Sequence, residues 1–159
     1  MKIPQASRPH MPGYGIKPVD EGELLPWSFV SERMAGAHNY WVASTRPDGG
    51  PHAAPVWGLW HEDGFYFSSG AESAKARNLA ADPRAVVHLE SGDEAVILEG
   101  RVAVEKDRAR LKALDGLYRQ KYDVGLLGAG LVYRLELSRA MAWREADFPS
   151  SATRWVFGE

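Results

Sequence analysis

Turn-forming residues cut this chain into short apolar runs, and that punctuation limits the folds open to it. Tyr40 to Thr45 (YWVAST) is rich in aromatic and β-branched residues and reads as a strand. Pro47-Asp48-Gly49-Gly50 is a strong turn, and His52 to Trp60 returns as a second strand in which Pro55 marks an edge or a bulge. His61-Glu62-Asp63-Gly64 turns the chain again into a third strand, Phe65 to Ser68. Arg84 to Glu90 and Glu94 to Val104 are two more, joined by Ser91-Gly92-Asp93. Leu131 to Leu137 and Ala140 to Arg144 close the set, and Thr153 to Phe157 can add a last short strand. Connections this short pair strands antiparallel, so the fold class is mainly β with short helices, arranged as a small barrel.

Three helices interrupt the strands. Ser28 is placed to cap a helix running to Gly36, with Phe29, Val30 and Met34 inward. A second runs from about Ser73 to Ala81 and stops at Asp82-Pro83, because proline excludes helix from the residue before it. Asp107 caps the third, DRARLKALDGLYRQKY, whose Leu111, Leu114, Leu117 and Tyr118 fall on one stripe. Its basic residues alternate with acids and glutamine, which reads as a solvated face. Gly125 to Gly130 is glycine-rich but lacks the Lys-Ser/Thr of a P-loop. Residues 1–25, with Pro4, Pro9, Pro12 and Pro18, show no period and read as an extended N-terminal arm, either disordered or wrapped on a partner subunit. Residues 26–159 form the barrel domain, with no second boundary.

Composition narrows the function classes. A net charge of −2 argues against broad binding to nucleic acid or acidic membranes. No apolar run approaches the ~20 residues needed to span a bilayer, and no signal peptide is recognisable. The absence of cysteine removes thiolate chemistry and disulfides and fits a cytoplasmic location. His10, His38, His52, His61 and His88 show no metal-ligand spacing, so no metal site is expected. No Gly-x-Ser-x-Gly motif is present.

One segment points to chemistry. In FYFSSGAESAKARNL, Phe65 to Leu79, a strand runs through Ser and Gly into a helix that opens with Ser73, Lys75, Arg77 and Asn78. A helix start offers unpaired N–H groups and partial positive charge, and cations in the first turns favour an anion such as a cofactor phosphate.

The order of YWVASTRPDGGPHAAPVWGLW, FYFSSGAESAKARNLAADPRAVVHLE and AVILEGRV resembles the pyridoxamine 5′-phosphate oxidase-like superfamily of split β-barrel flavin- and deazaflavin-binding proteins. LPWSF and SATRWVF extend the resemblance to the branch of reductases that use coenzyme F420. It implies an FMN-binding-protein-like split β-barrel, a homodimer with the cofactor between two barrels, and a small-molecule substrate. It also implies residue roles. Ser73 and Lys75 match the Ser-Arg-Lys motif that holds the flavin phosphate, with Ala74 replacing its arginine. Arg77, near the same helix start, offers a substitute cation, and the Lys-x-Arg-Asn form with Asn78 is similar to the deazaflavin branch. Pro55, Val56, Trp57 and Gly58 match the strand along the flavin ring, where Gly58 permits close approach of a planar ligand. Phe67 and Ser68 match the adjacent strand approaching the phosphate. Ala95 stands near the position of a cofactor-bonding glutamine, which weakens the case for FMN. The oxidase's Arg/His/Asp-rich carboxy-terminal motif is missing, so oxidation of a pyridoxine phosphate is not expected; Arg154 and Trp155 either reach the substrate cleft or pack as a tail.

The expectation is therefore hydride transfer from reduced coenzyme F420 to a conjugated or electron-poor acceptor, with FMN as the alternative cofactor and a non-catalytic flavin-binding protein as the alternative class. The residue that supplies a proton is left open among Tyr, His and water.

Overall fold

Alternation along Tyr40–Thr45 buries Tyr40, Val42 and Ser44 and leaves Trp41, Ala43 and Thr45 half-buried, as a strand with one face on a core requires. This is β1 of a computed structural model that describes residues 1–128 and 130–158. The other strands are β2 (Pro51–Val56), β3 (Gly58–His61), β4 (Gly64–Gly70), β5 (Arg84–His88), β6 (Glu94–Val104), β7 (Gly130–Arg144) and β8 (Thr153–Val156). The helices are α1 (Trp27–Gly36), α2 (Ala74–Ala81), α3 (Arg108–Tyr122) and α4 (Phe148–Ser151). All strand pairs are antiparallel, in the order β2-β1-β5-β6-β7-β4-β3, with β8 added to β7. The sheet curls into a half-barrel, which is the split-barrel architecture.

Three elements depart from the sequence reading. The expected strand His52–Trp60 is two strands, because β2 pairs with β1 at one edge of the sheet while β3 pairs with β4 at the other. Trp57 alone spans the seam between those edges. The two expected closing strands are one, β7. Opposite it, the register slips between Glu99 and Gly100, leaving Ser138 as the extra residue of a bulge. A Cβ on Gly100 would fall 2.0 Å from Glu136 O, so only glycine fits this close crossing. Finally, α1 is capped from Pro26, with Ser28 inside the helix and no side-chain cap. Asp107 and Ser73 do cap, accepting from Arg110 N–H at 2.8 Å and Ala76 N–H at 3.1 Å.

The main core lies inside the curl and includes Val30, Met34, Tyr40, Phe65, Phe67, Leu98, Leu135 and Trp155. A satellite core under α3 joins Leu59, Tyr66, Leu114, Tyr118, Tyr122, Leu126 and Val132. Residues 1–25 lie along their own chain's C-terminal segment. Ser7 and Arg154 exchange backbone hydrogen bonds at 2.8 Å, Arg8 Nη1 donates to Ala152 O at 2.7 Å, and Leu25 N–H donates to Thr153 Oγ1 at 2.9 Å. Ala129, within the Gly125–Gly130 loop, lies outside the described residues.

Candidate functional site

The seam is where the chain leaves the sheet ladder, and a cavity of about 400 Å³ opens there. It is lined by Pro55 and Val56 from β2, Trp57 from the seam, Ser68 from β4, Lys75 from α2, Asn39 and Tyr118. Five of these, Pro55, Val56, Trp57, Ser68 and Lys75, are residues the sequence singled out. Asn39 and Tyr118 are not.

Trp57 gives the cavity a flat aromatic wall. It is 41% exposed, yet its ring stacks on Tyr122 at 4.5 Å between centroids and 4° between planes. His38 meets both rings edge-on, at 5.7 Å from Trp57 and 5.2 Å from Tyr122. Lys75 supplies the cation, and among the described residues it enters no ion pair. An apolar plane beside a free ammonium suits a planar heterocycle carrying an anionic group, so the residues present fit a flavin or deazaflavin phosphate.

The other expected site residues are placed differently. Lys75 and Arg77 are two positions apart on a helix and leave it on different sides. Arg77 lines a separate hollow of about 340 Å³ with Arg46, Pro47, Asp48, Ala74 and Asn78. Asn78 is buried and donates from Nδ2 to Ser44 Oγ at 3.3 Å, tying α2 to β1. The Ser73 hydroxyl caps α2 and lies 2.6 Å from Ser69 Oγ. Phe67 points into the core, fully buried against Phe65 and Tyr133. The glycine at 58 answers to its own strand partner: a Cβ there would lie 2.5 Å from the Phe65 ring and 2.9 Å from Tyr66 O. Trp155 is 1% exposed and packs edge-on against Trp27, while Arg154 Nε donates to Ser7 Oγ at 3.4 Å; neither lines the cavity.

Beneath the wall sits a polar cluster missed by the sequence reading. Lys121 was assigned to a solvated face, but it is half-buried and donates to Tyr40 Oη at 2.8 Å and Gly58 O at 3.0 Å. Burial lowers its pKa to about 8. Burial likewise pushes the Tyr40 and Tyr122 phenols up, so both stay neutral near pH 7. The signal was present in the period: the stripe Leu111, Leu114, Tyr118 continues at i+3 onto Lys121 and at i+4 onto Tyr122.

Among the described residues no group of three or more His, Asp or Glu could hold a metal ion. No helix of the described residues is long and apolar enough to cross a membrane.

The antiparallel split barrel is the fold class, and the sequence places the chain in one family within it. The profile of the pyridoxamine 5′-phosphate oxidase family matches residues 30–142, and the chain belongs to that family. Among solved structures, a conserved hypothetical protein from Mycobacterium tuberculosis is similar at a TM-score of 0.69 and 20% identity, over 80% of this chain and 89% of that one. An F420 reductase is similar at 0.57 and 18%, over 73% and 98%. The heme storage protein HutZ from Vibrio cholerae is similar at 0.58 and 13%, over 68% and 87%. At these identities the likeness is one of fold. No curated protein matches the chain.

Proposed function

We propose that the protein is an oxidoreductase whose seam cavity binds reduced coenzyme F420 and presents it to a small conjugated or electron-poor acceptor. The observation that carries this reading is the pairing of an exposed, stacked indole with an unpaired ammonium in one cavity of ligand size. When bound, the cofactor supplies the hydride. The chain's own part is to bind, aim and dry. Lys75 holds the phosphate by charge-assisted hydrogen bonds. Trp57, Val56 and Pro55 form the ring's apolar wall and exclude water. The Ser68 hydroxyl and the Asn39 amide are the neutral polar groups available to orient the ligand. Arg77, beside Arg46 in the neighbouring hollow, acts on the same anion only through its longer-range field. FMN is the alternative occupant of this site. Ala74 and Ala95, which replace an arginine and a glutamine of the oxidase pattern, favour the deazaflavin.

A homodimer belongs to this reading. The convex face of the sheet carries a register row Pro55, Trp41, His88, Ile97, Met141, all exposed or half-buried. The next row continues it through Ala53, Ala43 and Val86 before ending in the ion pair of Glu99 and Arg139. An apolar face of this extent on a sheet is suited to isologous packing against a second copy. Pro55 belongs both to this face and to the seam cavity, so the cofactor site lies at the margin of the proposed interface.

The test is separate titration of the purified protein with F420 and with FMN, followed by reoxidation of the bound, reduced cofactor by a panel of acceptors. Tight FMN binding without F420 binding overturns the cofactor assignment. A bound, reduced cofactor that no acceptor reoxidises faster than buffer replaces the enzyme with a binding protein.

A further inference from the structure

Trp57 is an unusual wall. It sits where the chain crosses from one sheet edge to the other, so no ladder partner fixes its backbone, and 41% of it is exposed. A residue so placed is expected to sample several rotamers. Instead its ring lies parallel to Tyr122 and within stacking distance.

The next peptide group explains this. Gly58 N–H donates to Tyr122 Oη at 3.0 Å. Tyr122 Oη in turn lies 2.8 Å from His38 O and 3.0 Å from Gly58 O. Lys121 Nζ donates to Gly58 O at 3.0 Å and to Tyr40 Oη at 2.8 Å. Both polar groups of Gly58 are thus held by the last turn of α3. The lysine is an expensive choice for this position. Its ammonium is half-buried, enters no ion pair among the described residues, and lies over the Tyr40 and Tyr122 rings at 4.8 and 5.1 Å. A leucine or methionine on the same stripe would fill the space without the desolvation cost. What the lysine adds is a directed, charge-assisted grip on one carbonyl.

We propose that Lys121 and Tyr122 are positioning residues: by gripping the Gly58 peptide from the end of α3, they hold the Trp57 indole as a fixed wall of the seam cavity. The pair acts through Gly58 and the indole and touches no substrate. The depressed pKa of Lys121 adds a handle, since the grip weakens as the ammonium loses its proton. The other titratable groups facing the cluster are Tyr40 from β1, His38 from the segment before it, and Tyr118 and Tyr122 from α3 itself.

The test needs no cofactor, so its outcome is independent of which ligand the cavity takes. The six tryptophans are labelled as 5-fluorotryptophan and followed by ¹⁹F NMR, with Trp57→Phe assigning one resonance. In Lys121→Met and Tyr122→Phe the Trp57 resonance is expected to move toward the solvent-exposed value, and its acrylamide quenching to rise at least twofold, while the other five resonances hold. In the unmutated protein the same resonance is expected to titrate with a midpoint near pH 8, a transition retained in His38→Gln and lost in Lys121→Met. An unmoved Trp57 resonance in both variants overturns the proposal. So does movement of all six together, which marks a general structural role. If the variants do not fold, the unmutated protein decides alone: a Trp57 resonance already at the solvent-exposed value, and so not held against Tyr122, overturns it.

Discussion

Replacing Lys75 with alanine probes the cavity at the one cation that lines it among the described residues. Lys75 is part-buried and shares the cavity with Trp57. Two unit charges 4 Å apart are worth about 1 kcal/mol in water and about 4 kcal/mol at an effective dielectric of ~20. A part-buried site lies between these limits, and hydrogen bonds to charged groups contribute roughly 1.5–3 kcal/mol. At about 1.4 kcal/mol per decade, Lys75→Ala is expected to weaken cofactor binding by about 10- to 100-fold. Arg77→Ala is the internal control. Its side chain lines the other hollow, so its effect is that of a screened surface charge, about threefold or less. Isothermal titration calorimetry with F420 and FMN, at low and high salt, measures both. The Lys75 effect should shrink as salt rises, because the unmutated protein then loses the same interaction. Binding by Lys75→Ala within twofold of the unmutated protein would falsify the assignment of the phosphate to this cavity. An Arg77→Ala effect equal to that of Lys75→Ala would show that the anion sits between the two hollows.

Further outcomes follow from the packing and the titrating groups. Gly58→Ala forces a methyl group against the Phe65 ring and Tyr66 O, and is expected to cost about 1–3 kcal/mol of stability in urea denaturation; no loss would mean that β3 can retreat from β4. Lys121 has a folded pKa of about 8, below the ordinary lysine value, so between these pH values the unfolded chain binds more protons and stability rises with pH. The buried tyrosines, Tyr40 foremost, have raised folded pKa values, so above about pH 10 the unfolded chain loses protons first and stability falls. Unfolding free energy should therefore climb from pH 8 to about pH 10 and then decline, and Lys121→Met should remove the climb; a flat unmutated profile across that window contradicts the burial of Lys121. Trp41→Glu places a charge in the middle of the convex row; if the proposed dimer forms through this face, light scattering is expected to give monomers for the variant and dimers for the unmutated protein, with thermal stability of the fold retained, and equal masses for the two contradict the proposed interface.

Much of the fold was legible in the chain because its signals are local. Ser73 and Asp107 cap helices through their own side chains, and Asp82-Pro83 ends α2 by sterics that involve only neighbours. The alternation of Tyr40–Thr45 reports one buried face. Part of the candidate site was expected from the chain as well: Lys75 at the opening of α2 carries a local pattern, whereas the Pro55–Trp57 run was assigned by the family resemblance. Their meeting in one cavity is a property of the closed sheet.

What the sequence by itself determined is the inventory: short antiparallel strands, three of the four helices with one of their caps, Asp107, an aromatic run and a cation at a helix start. Tertiary structure decided which of these share a space. Helix geometry sent Lys75 and Arg77 to different hollows. Sheet order put β2 and β3 at opposite edges, so that Trp57, which read as the interior of one strand, became the bridge across the seam. The closing of α3 over that bridge turned Lys121 from a surface charge into a half-buried grip on Gly58. The divergence of Lys75 and Arg77 follows from the local helix period, but the hollows they enter, the Trp57 bridge and the Lys121 grip depend on contacts between residues far apart in the chain, which no local propensity encodes.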